Sequence, residues 1–322
     1  MQLTLDVLLA VVGVGLLTWG GDALVRGASG IALLAQVRPT IVGLTIVAAG
    51  TSMPELVVSV VAAWRGSADL CVANVVGSNI FNVTVVLGVA ALFRPLAFSW
   101  RSVRRHVPAM LLALAALHVM GRDGHFDRID GFFLVAALLV FILYTAHLAQ
   151  HPPPVPTAHD PSEDVAPPVG GAGRRAWLWS VVLSVLGMVL LGVGSSALVQ
   201  GATRIARLAG VSERVIGLTM VAAGTSLPEL ATSAMASWRG RNDIAIANAV
   251  GSTVFNCLGI IGLAAVLQPL AVHPHIVAHD HLWMLASGGG LVLLLRLSGQ
   301  RLGRINGLVL LTSFVVYFYT LM

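Results

Sequence analysis

GLTIVAAGTSMPEL, residues 43–56, returns as GLTMVAAGTSLPEL at residues 217–230. The offset is constant: 225 − 51 = 174 takes Thr51 to Thr225. The same step takes Gly43 to Gly217, Glu55 to Glu229, Trp64 to Trp238, Asn74 to Asn248 and Asn82 to Asn256. Read straight down without a gap, 28 of the 50 positions from Gly43 to Leu92 equal those from Gly217 to Val266. Apolar sequence matches itself by chance, but not in its Thr, Pro, Glu, Trp, Arg and Asn. The chain is an internal duplication.

Composition says where the two copies sit. Of 322 residues, 57% are hydrophobic and 10% are charged, against about a quarter charged in a soluble domain. That excludes a soluble globule, a disordered chain and a coiled coil, and leaves a membrane protein. All 19 basic residues are arginine. They are scattered through short loops rather than gathered on one face, so the high isoelectric point does not indicate nucleic acid. Two cysteines, Cys71 and Cys257, lie in apolar runs and read as buried, inert thiols. The first segment carries an acid and no basic leader, and reads as a span rather than a cleaved signal.

A helix needs about 20 apolar residues to cross the hydrocarbon core. That ruler predicts spans near 3–20 (continuing obliquely toward Leu34), 41–63, 70–92, 107–120 and 132–149. A second set falls near 178–199, 215–237, 244–266, 282–297 and 305–321. Between them a Pro-, Gly- and acid-rich stretch reads as a spacer. The expected fold class is an all-α membrane protein of ten transmembrane helices, arranged as two inverted five-helix repeats with helices 2 and 7 broken. Its parts are 1–150, a linker 151–176 and 177–322. Five spans per copy is an odd number, so the second copy enters from the opposite side, as in secondary transporters. Loops on the N-terminal side hold six arginines and those on the other side thirteen. The positive-inside rule therefore predicts both termini outside and the linker in the cytoplasm, for a multi-pass protein of the cytoplasmic membrane.

The repeated motif carries the chemistry. A proline inside a helix removes one hydrogen bond and clashes with the carbonyl four residues earlier. Pro54 should disturb Gly50, and Pro228 should disturb Gly224, freeing backbone oxygens around Ala48–Thr51 and Ala222–Thr225. Irregular backbone in lipid survives only where it lines protein or a water cavity. A glutamate follows each proline, and two mid-membrane carboxylates at equivalent depth need a cation. Thr51 and Ser52 lie four and three residues before Glu55, on the same helix face. Asn74, Ser78 and Asn82 form a polar stripe on the third span, repeated by Asn248, Ser252 and Asn256 on the eighth. Gly77 and Gly251 allow close helix approach. Such all-oxygen donors suit hard cations and argue against zinc, copper or iron.

Calcium takes roughly 6–8 oxygens, and two bidentate glutamates plus the carbonyls of Thr51 and Thr225 supply about six. A site of charge about −2 is offset by one Ca²⁺ or by two or more Na⁺. Crossing empty would expose both charges to a low-dielectric barrier, so exchange is easier than uniport. An intramembrane hydrolase is disfavoured because no Ser/His or Asp/Asp pair recurs at matching depth. A channel is disfavoured by the broken, inverted repeats.

Other motifs read more plainly. Trp64–Arg65 and Trp238–Arg239 are expected as interfacial anchors and snorkelling ends, and Asp22 as an interfacial charge. Asn74 and Asn248 fit helix–helix contact as well as ion contact. The run His273, His275, His279 and His281 has metal-like spacing but is expected on a solvated outer loop, with weak metal or pH sensing as the second reading.

The paired GTS[ML]PEL segments, each followed by N-x-VGS-x-x-FN, resemble the alpha-repeat motifs of the cation/Ca²⁺ antiporter superfamily, in particular prokaryotic Na⁺/Ca²⁺ exchangers of ten helices. The resemblance covers essentially the whole chain outside the linker. It implies Ca²⁺ coordination by Glu55 and Glu229 and by the carbonyls of Thr51 and Thr225. It implies Na⁺ contacts at Ser52, Ser78, Ser226 and Ser252 and at the carbonyls of Ala48 and Ala222; the polar stripes add Asn74, Asn82, Asn248 and Asn256 as supporting residues. It also implies that the first and sixth helices slide past the rest. No enzymatic activity, cofactor, nucleic acid or obligate protein partner is expected; the partners are the bilayer and the transported Ca²⁺ and Na⁺. Some relatives carry aspartate at the position of Asn256, and the asparagine here weakens the case for K⁺ co-transport. The GN-x-x-E motif of Ca²⁺/H⁺ exchangers is missing, which favours Na⁺, although glutamate protonation keeps H⁺ as the alternative counter-ion.

Overall fold

A computed structural model describes residues 2–150, 173–210 and 222–321. Most of the linker (151–172) and the start of the expected seventh span (215–221) lie outside the described residues. The helices are α1 (Gln2–Leu34), α2 (Pro39–Thr51), α3 (Met53–Trp64), α4 (Ala68–Phe93), α5 (Trp100–Met120) and α6 (Arg128–Gln150). After the linker come α7 (Arg174–Leu208), α8 (Ala222–Thr225), α9 (Leu227–Trp238), α10 (Asn242–Leu267), α11 (His281–Leu297) and α12 (Arg304–Leu321). Among the described residues six helices are long and apolar enough to cross a membrane, and the bent pair α2–α3 makes up to a seventh. The first helix runs unbroken through Gly20–Gly21 to Leu34, the oblique continuation that its sequence suggested.

Helices α4 and α10 form the centre: 78% of the apolar window of each is buried, against 17–33% for α1, α6, α7 and α12. The outer helices turn rows of Leu, Val and Phe outward, as lipid-facing surfaces require. Four short strands tie the loops together. β1 (Leu96–Ala97) pairs antiparallel with β4 (Arg301–Leu302), and β2 (His125–Phe126) with β3 (Leu270–Ala271). Each pair joins a loop of the first half to a loop of the second.

The long helices α1 and α7 pack backbone to backbone. Glycines recur every seventh residue on both, at Gly13, Gly20 and Gly27 and at Gly187, Gly194 and Gly201. A Cβ on Gly20 would sit 2.8 Å from the Leu191 nitrogen, one on Gly187 2.6 Å from that of Leu24, and one on Gly194 2.8 Å from that of Leu17. Contacts move down one helix as they move up the other, so the pair is antiparallel. Between helices in lipid such close approach supplies the association that the hydrophobic effect does not. Periodicity alone missed this seam, although the glycine spacing was visible.

π-helical turns are the second feature without a sequence forecast. They occupy Gly43–Val47, Asn82–Val86, Phe255–Ile260 and Ile276–Asp280. Single π turns inside α-helices concentrate at functional positions, and two of these carry Asn82 and Asn256.

Candidate functional site: a buried pair of crossed carboxylates

The break in each motif falls on its serine. Ser52 has φ −83° and ψ 7°, and the axis turns by 45° from α2 to α3. Ser226 repeats this with φ −88° and ψ 5° between α8 and α9. Restarting there puts Pro54 and Pro228 in the first helical turn, where a missing N–H costs nothing. The glutamates follow in that same turn, where the positive end of the helix dipole favours a carboxylate.

The two motifs serve each other. The Ser52 hydroxyl donates to Glu229 Oε1 at 2.8 Å, and the Ser226 hydroxyl donates to Glu55 Oε1 at 2.9 Å. Both glutamates and both serines are completely buried. Among the described residues the second oxygen of each carboxylate, Oε2, has no hydrogen-bond partner, and neither glutamate has a basic partner. A buried carboxylate with one oxygen unpartnered is costly unless a positive charge joins it. The electrostatics thus ask for a neutralising cation or proton between the motifs.

The polar stripes stand around this pair. Asn74 donates to Ser59 Oγ at 3.0 Å and to the Glu55 carbonyl at 3.5 Å. Asn248 repeats both bonds, to Ser233 Oγ at 3.0 Å and the Glu229 carbonyl at 3.4 Å. With their amide nitrogens committed, their oxygens face the threonines: Thr51 donates to Asn248 at 3.2 Å and Thr225 to Asn74 at 3.4 Å. Ser226 also bonds Ser78 at 3.1 Å, and Ser252 lies 3.4 Å from the Thr51 hydroxyl. Asn82 and Asn256 are fully buried, and among the described residues neither their amide nitrogens nor their oxygens find a partner. Gly251 admits the backbone of α2, since a Cβ there would lie 2.7 Å from the Leu44 carbonyl; Gly77 meets no described atom within 4 Å.

Two expectations change in detail. The Ala48 carbonyl is not free: it accepts the Ser52 N–H at 3.1 Å and hydroxyl bonds from Thr51 and Ser252. The carbonyl that Pro228 leaves without a donor, that of Gly224, is taken by the Ser195 hydroxyl of α7. Ala222 opens α8, and its side chain lies outside the described residues. Sequence reasoning passed over Ser59 and Ser233, which hold the two asparagines. They were legible, being identical across the repeat and four residues beyond each glutamate. Ser195 had no such signal, because Gly21 stands at its repeat position.

Outside the site, Asp22 and Arg239 are more than interfacial charges. Asp22 pairs with Arg26 at 3.0 Å and with Arg239, tying α1 to the end of α9. Trp64 and Trp238 are exposed, as anchors should be, and Trp238 sets its edge against Phe93. The histidine run is a loop only at its start: His273 is exposed and lies in no helix, His275 is exposed at a helical position, Ile276–Asp280 is helical, and His281 heads α11, fully buried against His118.

Helices embedded in lipid around a broken pair of acidic motifs define an ion-transporting membrane protein, and comparison with known proteins narrows that class. The sodium/calcium exchanger protein family matches residues 5–146 and 179–322, and the chain belongs to it. The inner membrane protein YrbG of Escherichia coli is 34% identical over 310 residues, covering 96% of this chain and 94% of its own. The sodium/calcium exchanger MaX1 of Methanosarcina acetivorans is 28% identical over 353 residues, 99% of each chain. The solved structure of the sodium-calcium exchanger NCX_Mj, soaked with zero Na⁺ and Ca²⁺, matches with a TM-score of 0.84 at 26% identity, over 99% of this chain and 100% of that one. The family is one of transporters rather than catalysts, and this chain is a multi-pass membrane member of it.

Proposed function

We propose that this chain exchanges Na⁺ for Ca²⁺ across the cytoplasmic membrane by alternating access, with Glu55 and Glu229 as the shared cation site. The observation that carries the reading is the crossed pair of serine–glutamate bonds. It brings two carboxylates from distant motifs into one closed set of oxygens and leaves an oxygen of each unpartnered. Ca²⁺ would be held by Glu55 and Glu229 with the carbonyls of Thr51 and Thr225. Na⁺ would use Ser52, Ser78, Ser226 and Ser252 and the carbonyls of Ala48 and Ala222, with the Ala48 carbonyl giving up its hydroxyl bonds from Thr51 and Ser252 to the ion. Asn74 and Asn248 position the glutamate backbones, and the unpartnered amides of Asn82 and Asn256 offer oxygens to the ion or its water.

The architecture proposed for this is ten spans in two inverted repeats, 1–150 and 177–322, joined by a cytoplasmic linker 151–176, with both termini outside. Three features support it: the antiparallel seam of α1 on α7, the breaks at Ser52 and Ser226, and the strand pairs that cross between halves. Advancing β1 by 174 lands on β3, and advancing β2 by the same step lands within two residues of β4, so the two pairs are copies with their members exchanged.

Ca²⁺/H⁺ exchange is the second reading. Two glutamates sealed from solvent without a basic partner could be neutralised by protons as well as by Na⁺. The deciding measurement is Ca²⁺ uptake into vesicles driven by an outward Na⁺ gradient in the presence of a protonophore. Persistent uptake is expected; uptake abolished by the protonophore would transfer the proposal to H⁺. Full-rate Ca²⁺ efflux without any counter-cation would overturn exchange altogether.

A further inference from the structure

The sequence holds four histidines within nine residues, 273 to 281. The fold separates them. His281 is buried at the head of α11 beside His118, and the ring nitrogen Nδ1 of His273 accepts the backbone N–H of His275 at 3.2 Å. The remaining two come together on the turn that leads into α11. Their rings lie 4.9 Å apart, inclined by 33°. His279 Nδ1 is 2.8 Å from Asp280 Oδ1. One ligand atom from each of His275, His279 and Asp280 can be chosen so that all three lie within 4.8 Å of one another.

We propose that His275, His279 and Asp280 bind a borderline transition-metal ion, Zn²⁺ foremost, at a surface site separate from the buried carboxylates. Two imidazoles and one carboxylate form a donor set that Zn²⁺ accepts with one position left for water. Metal–ligand bonds of about 2.0–2.2 Å place tetrahedral donors about 3.4 Å apart, so small rotations of two exposed or half-exposed rings complete the site. Nitrogen donors select against Ca²⁺ and Na⁺, the opposite of the all-oxygen set around Glu55 and Glu229.

The surroundings hold the ligands in place. Tyr317 of α12 donates its hydroxyl to Asp280 Oδ1 at 3.3 Å, and its ring stacks on His279 with centroids 6.2 Å apart. Such outer partners fix ligand orientation, and losing one typically weakens metal binding 10–100-fold. The π-helical turn Ile276–Asp280 presents His279 and Asp280, and His275 stands at its N-cap. The bond between His279 and Asp280 is the one a metal would replace, with both atoms turning to the ion.

The test uses the full-length, untagged chain in detergent, titrated with Zn²⁺ against a chromophoric chelator in millimolar Ca²⁺ and Na⁺. One saturable Zn²⁺ per chain is expected. His275→Ala and His279→Ala should each weaken it at least ~10-fold, and Tyr317→Phe by ~10-fold. Glu55→Gln/Glu229→Gln should bind Zn²⁺ as the parent does, whatever ions the buried site carries. Because His275 is exposed, its alanine variant should keep the parent's thermal unfolding. Substituted Co²⁺ should show a tetrahedral visible band that His279→Ala removes. No saturable binding by the parent, unchanged binding in His275→Ala, or binding lost with the two glutamates would each overturn the proposal.

Discussion

The two motifs are nearly identical in sequence and unequal in surroundings. Around the first, Thr51 and its partner Asn248 are fully buried; around the second, Thr225 and Asn74 are half-buried. Ser252 bonds to the Thr51 side and the Ala48 carbonyl, whereas its repeat mate Ser78 bonds to Ser226. The glutamates themselves are equally sealed. A duplicated site therefore keeps its central charges in one environment and differs at its rim. The proposed alternating access of two inverted copies asks for this: the same chemistry at the centre, with one flank closed more tightly than the other.

The largest expected effect tests the equal centre. Glu55→Gln and Glu229→Gln should each abolish Na⁺-driven Ca²⁺ uptake, because in the proposed site each carboxylate contributes one of the two charges that offset Ca²⁺. Wild-type uptake in either variant would break the shared site. Next come the serines. Ser52→Ala and Ser226→Ala each remove a hydrogen bond to a buried carboxylate, worth about 1.5–3 kcal/mol. Calcium affinity measured by calorimetry should fall by roughly 10- to 150-fold, and by the same factor in both; a strong inequality would mean that the crossed bonds are not equivalent.

The unequal rim gives a sharper contrast. Asn248→Ala removes bonds to Thr51, Ser233 and the Glu229 carbonyl in a dry setting and should cost about 1–3 kcal/mol of stability. Asn74→Ala, nearer solvent, should lower the thermal midpoint less. Equal shifts would erase the distinction. On the helix seam, Gly20→Ala must push against the Leu191 backbone and should cost about 1–3 kcal/mol. Gly15→Ala on the same helix meets no described atom within 4 Å and should be tolerated. The smallest effect belongs to Asp22→Asn, which breaks partly exposed pairs with Arg26 and Arg239 and should shift the thermal midpoint by less than the equivalent of about 1 kcal/mol. Across all of these, acidification should slow uptake, since protons compete with the cation for the carboxylates; a rate unchanged down into the carboxylate range would count against that competition.

Much of the centre could be read from residue types. Pro54 before Glu55, and the identical pair 174 residues later, announce a break and a charge at one depth, because lipid makes both expensive without a purpose. Ser59 and Ser233 were equally available, hidden only by how ordinary a membrane serine is. Ser195 was not available: its partner, the Gly224 carbonyl, is 29 residues away and its repeat position is glycine. The histidine run misled in the other direction, since spacing along the chain says nothing about which rings turn inward.

By itself the sequence determined the bilayer setting, the duplication, the broken motifs and an all-oxygen donor set. These follow from composition, period and the local rules for proline and buried charge, which need no knowledge of neighbours. Only the tertiary structure decided that Ser52 serves Glu229 and Ser226 serves Glu55, that glycine rows of α1 and α7 meet, and that two histidines of four converge with Asp280. The physical reason is range: the crossed bonds join residues 177 and 171 positions apart. Only packing can bring such partners within hydrogen-bonding distance, and nothing local in the chain encodes that meeting.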